Sequence, residues 1–299
     1  MPSRVIDTPT RKTWSDRLLT ARFLLRQSLA KLSYAPVPVH VKVDEDEVID
    51  FWWSYIVPYF EPARGFFDYW GHDSSELRFL WRTLRPGMVF FDIGAYHGIY
   101  SLVASRRLQG SGQVVAFEPS SREFARLRLH LRWNGARRAR AECCAVGARA
   151  EERAFFQVNS GDTTRNSLRR PATTDSLDEV RVKTVSLDQY IEGFPLDRLD
   201  VVKLDVEGGE MEVLGGATSL LARLRPIFIC EVLDAATKPW GYEAREIVET
   251  LSRHDFAWLE FRPGGGLLPH KIQDEYPEVR NFLAVPREKL PAISEQIIP

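Results

Sequence analysis

The sequence predicts an α/β fold built on a doubly wound, mostly parallel sheet, and three features predict it. Short apolar runs end in a carboxylate, as in Val89-Phe90-Phe91-Asp92 and Val201-Val202-Lys203-Leu204-Asp205. A strand covered by helices on both faces reads as such a run, because neither side of it meets water. Between the runs, apolar residues recur every three or four positions, and strands that alternate with helices wind into right-handed crossovers. Glycine turns follow directly on the runs, the first from Gly94 to Gly98.

In chain order, Trp14, Leu18, Ala21, Leu25, Leu29 and Leu32 stripe one face of a helix that Pro36 and Pro38 stop. Seven basic side chains in residues 1–35 flank the stripe. It fits docking on the protein's own body, on a second copy in a homodimer, or, through residues 11–32, peripheral contact with an anionic membrane. Residues 48–70 are rich in Phe, Trp and Tyr, which serve either a hydrophobic satellite or an aromatic wall over a substrate. Residues 1–70 therefore read as an N-terminal arm, 71–288 as the α/β domain and 289–299 as a tail.

Within the domain a helix runs from Glu76 to Leu84 and ends at Pro86-Gly87. Strand Val89 to Asp92 leads into helix Ile99 to Leu108, and strand Val114 to Phe117 ends at Glu118. Phe124, Leu127 and Leu131 mark the next helix, and Glu142 to Val146 the third strand. Gly161 to Asp178 is polar and loop-like, and Val180 to Val185 alternates as an exposed or edge strand does. After the strand ending at Asp205, Met211, Leu214, Ala217, Leu221 and Leu224 stripe one helix stopped by Pro226. Strand Ile227 to Val232 and a helix through Ile247, Val248 and Leu251 follow. Ala257 to Phe261 and Asn281 to Val285 pair across the Gly264-Gly265-Gly266 turn.

Of the 299 residues 44% are hydrophobic, ample for a core. The 40 basic and 41 acidic side chains sum to a formal charge of -1, which gives no general field for gripping nucleic acid. No apolar run approaches the ~20 residues of a transmembrane helix, and the N-terminus shows no apolar leader. Cys143, Cys144 and Cys230 are too few and too oddly spaced for a disulfide framework and read as small buried residues. A reduced, cytoplasmic protein is expected.

Ligands of open α/β sheets lie beyond the carboxyl ends of the strands. Those ends carry Asp92, Glu118, Asp205 and Glu231. In the first turn Gly94 permits a tight bend and close approach to a ligand, and Gly98 lets the next helix start against the strand. Glu118 follows Asp92 by 26 residues and is placed to accept both hydroxyls of a ribose. Tyr96 stands where a diphosphate-binding turn has its second glycine, so an NAD-dependent oxidoreductase is the lesser alternative; no triphosphate-binding loop is present. An adenosine-bearing ligand without phosphates, S-adenosylmethionine, fits better. A non-catalytic scaffold that recruits partners through the basic arm is the alternative from another class.

These residues resemble the FkbM-type methyltransferases from about Glu76 to Pro286. The resemblance rests on Val89 to Gly98, on Ala116-Phe117-Glu118-Pro119, on Val185-Ser186-Leu187-Asp188, and above all on Lys203 to Ala217 with Arg225-Pro226 and Glu231. It implies a seven-stranded, Rossmann-like class I methyltransferase fold, S-adenosylmethionine as donor, and O-methylation of a hydroxyl on a sugar, glycan or other secondary metabolite. Tyr96 departs from the family, which more often has Asn there, and residues 1–70 have no counterpart.

Residue by residue, the cofactor set is Asp92, Gly94, Ala95, Gly98, Glu118, Pro119 and Ala145, with Asp205 beside the methyl group and Glu76 toward the methionine end. Glu76 and Arg78 alternatively form a surface pair. Asp205 and Glu231 are candidate bases or ligands for a hard cation such as Mg²⁺, which carboxylates with open water positions suit. Glu207 either joins them or caps the following helix, and Glu210 reads as a first-turn acid. His97 is a further candidate base. Lys203, inside a buried strand, requires a carboxylate partner. Asp188 caps the turn after its own strand.

Overall fold

The structure, a computed structural model, describes residues 36–53, 75–159, 163–194, 196–262 and 264–298. The basic stripe of residues 11–32 and the aromatic stretch 54–70 lie outside the described residues. The described part opens with a hairpin, β1 (Val37–Lys42) and β2 (Val48–Trp53), then α1 (Ser75–Thr83). The body continues with β3 (Val89–Ile93), α2 (Ile99–Arg107), β4 (Gln113–Phe117), α3 (Ser121–Trp133) and β5 (Ala139–Glu142). Next come β6 (Ala145–Val146), β7 (Glu151–Val158), β8 (Leu177–Val185) and α4 (Leu187–Gly193). The chain proceeds through β9 (Val201–Leu204), α5 (Glu210–Gly215), α6 (Thr218–Arg223), β10 (Ile227–Glu231), α7 (Asp234–Thr237) and α8 (Arg245–Arg253). It ends in β11 (Phe256–Phe261), β12 (Leu267–Pro269) and β13 (Asn281–Pro286).

The main sheet has the order β12-β11-β13-β10-β9-β3-β4-β5. β5, β4, β3, β9 and β10 are parallel, and β13 runs antiparallel between β10 and β11. This is the doubly wound sheet expected of a class I methyltransferase, seven strands with the three-residue β12 added at one edge. Strand alternation splits the core in two. Phe90, Val114, Val201, Ile229 and Leu283 face α1, α2 and the hairpin, whose Phe51 and Trp53 share that core. Phe91, Val115, Val202, Phe228 and Ala284 face the other way, toward α5, α6 and α8. β3, β9 and β10 are buried along their whole length. Among the described residues no helix is long and apolar enough to cross a membrane.

Several local expectations need correction. The third strand of the main sheet is Ala139–Glu142, not Glu142 to Val146: the chain leaves the sheet at Cys143, and Ala145-Val146 pairs instead with β8. Cys143 is accordingly exposed and Cys144 half-buried; only Cys230 is a buried filler. β8 is exposed at alternate positions, as one arm of the expectation had it, but it is the middle strand of a separate three-stranded sheet, β6-β8-β7, not an edge. The helix expected over Met211 to Leu224 is two helices. A Cβ on Gly216 would lie 2.3 Å from the Gly147 carbonyl, so the chain breaks where two backbones nearly touch. Asp188 caps the second of them, accepting from the Ser219 and Leu220 amides at 2.9 Å, while Ser186 caps its own turn. β11 does pair with β13, but the Gly264–Gly266 turn joins β11 to β12.

Candidate active site

Sequence neighbours β3 and β4 lie on one side of the sheet and β9 and β10 on the other, so the strand order reverses between β3 and β9. A cavity of about 300 Å³ opens at the carboxyl ends there, the place where open α/β sheets bind ligands. Register sets Asp92 opposite Lys203 across β3 and β9, and Glu231 opposite Asn281 across β10 and β13.

On the β3 side, Gly94 has φ +81°, and a Cβ there would sit 1.7 Å from the Asp205 carbonyl. The close approach that demands glycine is thus to the end of β9, not to a ligand. Gly98 (φ +85°) packs against Leu127 of α3, a helix contact where a strand contact was expected. Asp92 is buried, and its Oδ2 accepts from the Ser101 amide at 3.0 Å and hydroxyl at 2.6 Å, pinning α2 to the strand. Burial pushes its carboxyl up to about 6 despite those donors. Glu118 accepts from the Tyr96 amide and the Ser120 amide, both at 2.8 Å, and burial pushes it up to about 8. Ala95, Pro119 and Ala145 line the same wall.

His97 is buried, with Nε2 2.6 Å from Glu123 and its ring stacked on Tyr96. Burial outweighs the Glu123 carboxylate and holds the imidazole below its usual range, so the neutral ring donates to Glu123. His130, stacked on Trp53 at 4.0 Å, donates from Nδ1 to the His97 carbonyl at 2.8 Å. These contacts make His97 a support of the turn, and the residue also lines the cavity.

On the β9 side the buried Lys203 ammonium donates to Asp205 Oδ2 at 2.7 Å and Asn281 Oδ1 at 2.9 Å, as a buried charge requires. Burial pulls its pKa down, but Asp205 outweighs burial and the net shift is upward. Asn281 also donates to Glu76 Oε1 at 3.2 Å, so Glu76 reaches the cavity through Asn281. One carboxylate oxygen from each of Asp205, Glu207 and Glu231 lies within 4.8 Å of the others. Glu231 is 8% exposed, and its Oε2 has no hydrogen-bond partner among the described residues. Burial, then Asp205 and Glu207, push Glu231 well above the usual carboxylate range.

Glu207 adopts φ +55°, a left-handed conformation costly for a residue with a Cβ. Its carbonyl accepts from Ser167 Oγ at 3.0 Å and Trp240 Nε1 at 3.1 Å, which hold the turn in place. The N-cap of α5 is Gly209, so neither glutamate caps the helix; Glu210, in its first turn, accepts on Oε1 from the Val206 amide of the preceding turn at 3.0 Å, and burial pushes its carboxyl up to about 7. Trp53, from the aromatic stretch that offered a wall over a substrate, lines the cavity, and so do Tyr100 and Asn281, to which the sequence reading gave no role in the site. Asn281 carries no local signal, since only the β10–β13 register brings it to Lys203.

The sequence model of the methyltransferase FkbM domain matches residues 92–257. AMB antimetabolite synthetase AmbE of Pseudomonas aeruginosa is 30% identical over 211 residues, 58% of this chain and 10% of that protein. Hexuronic acid methyltransferase AglP of Haloferax volcanii is 28% identical over 174 residues, 56% of this chain and 64% of the relative. The chain thus spans about a tenth of the first relative and under two thirds of the second. Among solved structures, the methyltransferase FkbM of Methylobacillus flagellatus superposes with a TM-score of 0.43 at 16% identity, over 67% of this chain and 44% of the other. The matched span begins at Asp92 and takes in the tips of β4, β9 and β10, so all four strand-end carboxylates fall inside it, and the chain belongs to the FkbM methyltransferase family.

Proposed function

We propose that the protein is an S-adenosylmethionine-dependent O-methyltransferase acting on a hydroxyl of a sugar, glycan or other small metabolite. The observation that carries this reading is one cavity with two chemically different walls: a buried carboxylate, Glu118, on the β4 side and an acidic cluster around Asp205 on the β9 side. S-adenosylmethionine supplies an activated methyl group on a cationic sulfur. The chain's residues fit it: among the described residues the cavity is lined by Asp92, Glu118, Asp205, Glu207 and Glu231 against the ammonium of Lys203, a field that favours a cation.

In this reading Glu118 accepts the two ribose hydroxyls, and Asp92, Gly94, Ala95, Gly98, Pro119 and Ala145 form the adenosine wall. Glu76, through Asn281, faces the amino-acid end. Asp205 and Glu231 flank the acceptor. One of them takes the hydroxyl proton as the oxygen–carbon bond forms and the carbon–sulfur bond breaks, its electron pair leaving with sulfur. Base assistance of this kind is worth about 10²–10⁴-fold. A hard cation such as Mg²⁺ on the same carboxylates offers the alternative of lowering the hydroxyl's pKa. A sugar-type acceptor is supported by the hexuronic acid in AglP's name. The acidic lining speaks against a nucleic-acid acceptor, whose phosphates it would repel.

Calorimetry tests the cofactor assignment: S-adenosylmethionine binds in the micromolar range, and tight NADH binding in its place overturns the reading. With an acceptor found by screening for S-adenosylhomocysteine release, Asp205→Asn lowers turnover about 10²–10⁴-fold, the size of base assistance, and affects cofactor affinity far less. Unchanged turnover removes Asp205 from the chemistry.

A further inference from the structure

We propose that Asp205, Glu207 and Glu231 form a divalent-cation site, with Glu207 as a third ligand and open coordination positions facing the cavity. Two chain segments contribute: the turn after β9, with Asp205 and Glu207, and the last residue of β10, Glu231. Their oxygens lie within 4.8 Å of one another. Oxygens facing each other across a divalent ion, at ligand distances of 2.0–2.6 Å, are about 4–5 Å apart. The spacing lies within what ligands of one ion span.

The second observation is Glu231 Oε2, an oxygen on a side chain nine-tenths buried, bordering the cavity, with no hydrogen-bond partner among the described residues. Buried carboxylate oxygens are expensive to leave unpaired, and burial without partners normally selects against the residue. A metal ion supplies the missing partner. Lys203 donates to Asp205 Oδ2 and Asn281 Oδ1 and makes no hydrogen bond to Glu231 Oε2. The charge points the same way: three carboxylates converge where, among the described residues, the ammonium of Lys203 stands near.

The donor set is all oxygen, which suits Mg²⁺, Mn²⁺ or Ca²⁺ over softer metals. Three protein ligands leave about three of six positions for water or for the acceptor oxygen. That last step, polarisation of the acceptor hydroxyl, rests on the methyl-transfer reading; the cation site does not.

The test uses the full chain, stripped with chelator and titrated with Mn²⁺ while the electron paramagnetic resonance signal of free Mn²⁺ is followed. One Mn²⁺ taken up per chain is the expected result. Glu231→Gln and Glu207→Gln each weaken Mn²⁺ binding at least tenfold, while calorimetry with S-adenosylhomocysteine shows that the variants remain folded. If the wild-type chain takes up no Mn²⁺, with or without S-adenosylhomocysteine, or if both variants bind Mn²⁺ as the wild type does, the site is refuted. S-adenosylhomocysteine binding without Mn²⁺ uptake sinks the cation site and leaves methyl transfer standing. Mn²⁺ uptake sensitive to both variants, without S-adenosylhomocysteine binding, does the reverse.

Discussion

The β3–α2 turn and the β9–α5 turn meet at the floor of the cavity and are built alike. Each follows a fully buried parallel strand, and each sets a residue other than glycine in the left-handed region, Tyr96 at φ +49° and Glu207 at φ +55°. The carboxylates on the two sides, with those at the tips of the neighbouring β4 and β10, differ in what they touch. Asp92 and Glu118 are held by backbone amides, with Ser101 adding its hydroxyl. Asp205 holds Lys203, and Glu231 keeps an oxygen without a partner. The first turn is settled before any ligand arrives and has lone pairs left for neutral hydroxyls. The second concentrates negative charge that only a cation or a proton relieves. In the proposed reading, one fold thus offers a polar wall for positioning and a charged wall for chemistry.

The sharpest way to break this pairing is at the point where the turns touch. Gly94→Ala combines a positive φ with a Cβ 1.7 Å from the Asp205 carbonyl, and that neighbour is backbone, which cannot swing aside. The expected loss is about 3 kcal/mol of stability or more, the range reserved for strain and overpacking together. Chemical denaturation measures it. A variant as stable as the wild type, with intact S-adenosylhomocysteine binding, would show that the two turns are not locked together.

Much of this architecture was legible in the sequence for a physical reason: strands buried on both faces leave apolar runs, and the carboxylates ending those runs could only lie at one rim of the sheet. The errors cluster where long-range pairing decides. Ala139–Glu142 is a half-exposed edge strand with little apolar content, so the more apolar Cys-Cys-Ala-Val stretch that follows drew the assignment instead. The hairpin at residues 37–53 went unread, because its prolines looked like punctuation and its pairing is visible only in three dimensions. The positive φ that turns Glu207 away from a capping position is not announced by composition. Nothing near His97 in sequence reveals its contact with Glu123, 26 residues away.

A smaller effect sharpens the contrast on the β4 side. Burial pushes Glu118 up to about 8, with Glu123 and Asp92 adding negative potential and the Ser120 and Tyr96 amides opposing. The unliganded protein therefore holds this carboxyl protonated at pH 6. Ribose hydroxyls donate to the ionised form, so binding releases a proton, and affinity for S-adenosylhomocysteine rises with pH up to about 8, by at most about tenfold per unit. The sign for stability is opposite: a carboxyl held above its unfolded value makes the unliganded fold less stable as pH rises from the ordinary carboxylate range through 8. Glu118→Gln weakens binding at pH 8 about tenfold to a hundredfold, the scale of lost charged hydrogen bonds, and loses this part of the pH dependence. A pH slope that survives the substitution assigns the titration to another group.

The smallest expected effect falls on the first turn itself. Tyr96 keeps its left-handed backbone while its hydroxyl lies 2.6 Å from Thr163 Oγ1 and its ring stacks on His97 at 3.7 Å. Tyr96→Phe preserves the ring, the stacking and the backbone conformation and removes only the hydroxyl, so the change isolates the tie between the turn and the loop that carries Thr163. A neutral hydrogen bond in a half-buried setting contributes about 0.5–1.5 kcal/mol, which at this chain length corresponds to a melting shift of a few degrees. Differential scanning calorimetry detects it. If the hydroxyl only braces an already settled turn, S-adenosylhomocysteine affinity moves by less than about tenfold, the upper end of one such bond. A loss beyond that range would mean that the β3 side is completed by the Thr163 loop and is not pre-formed, and the contrast between the two walls would then lie in timing as well as charge.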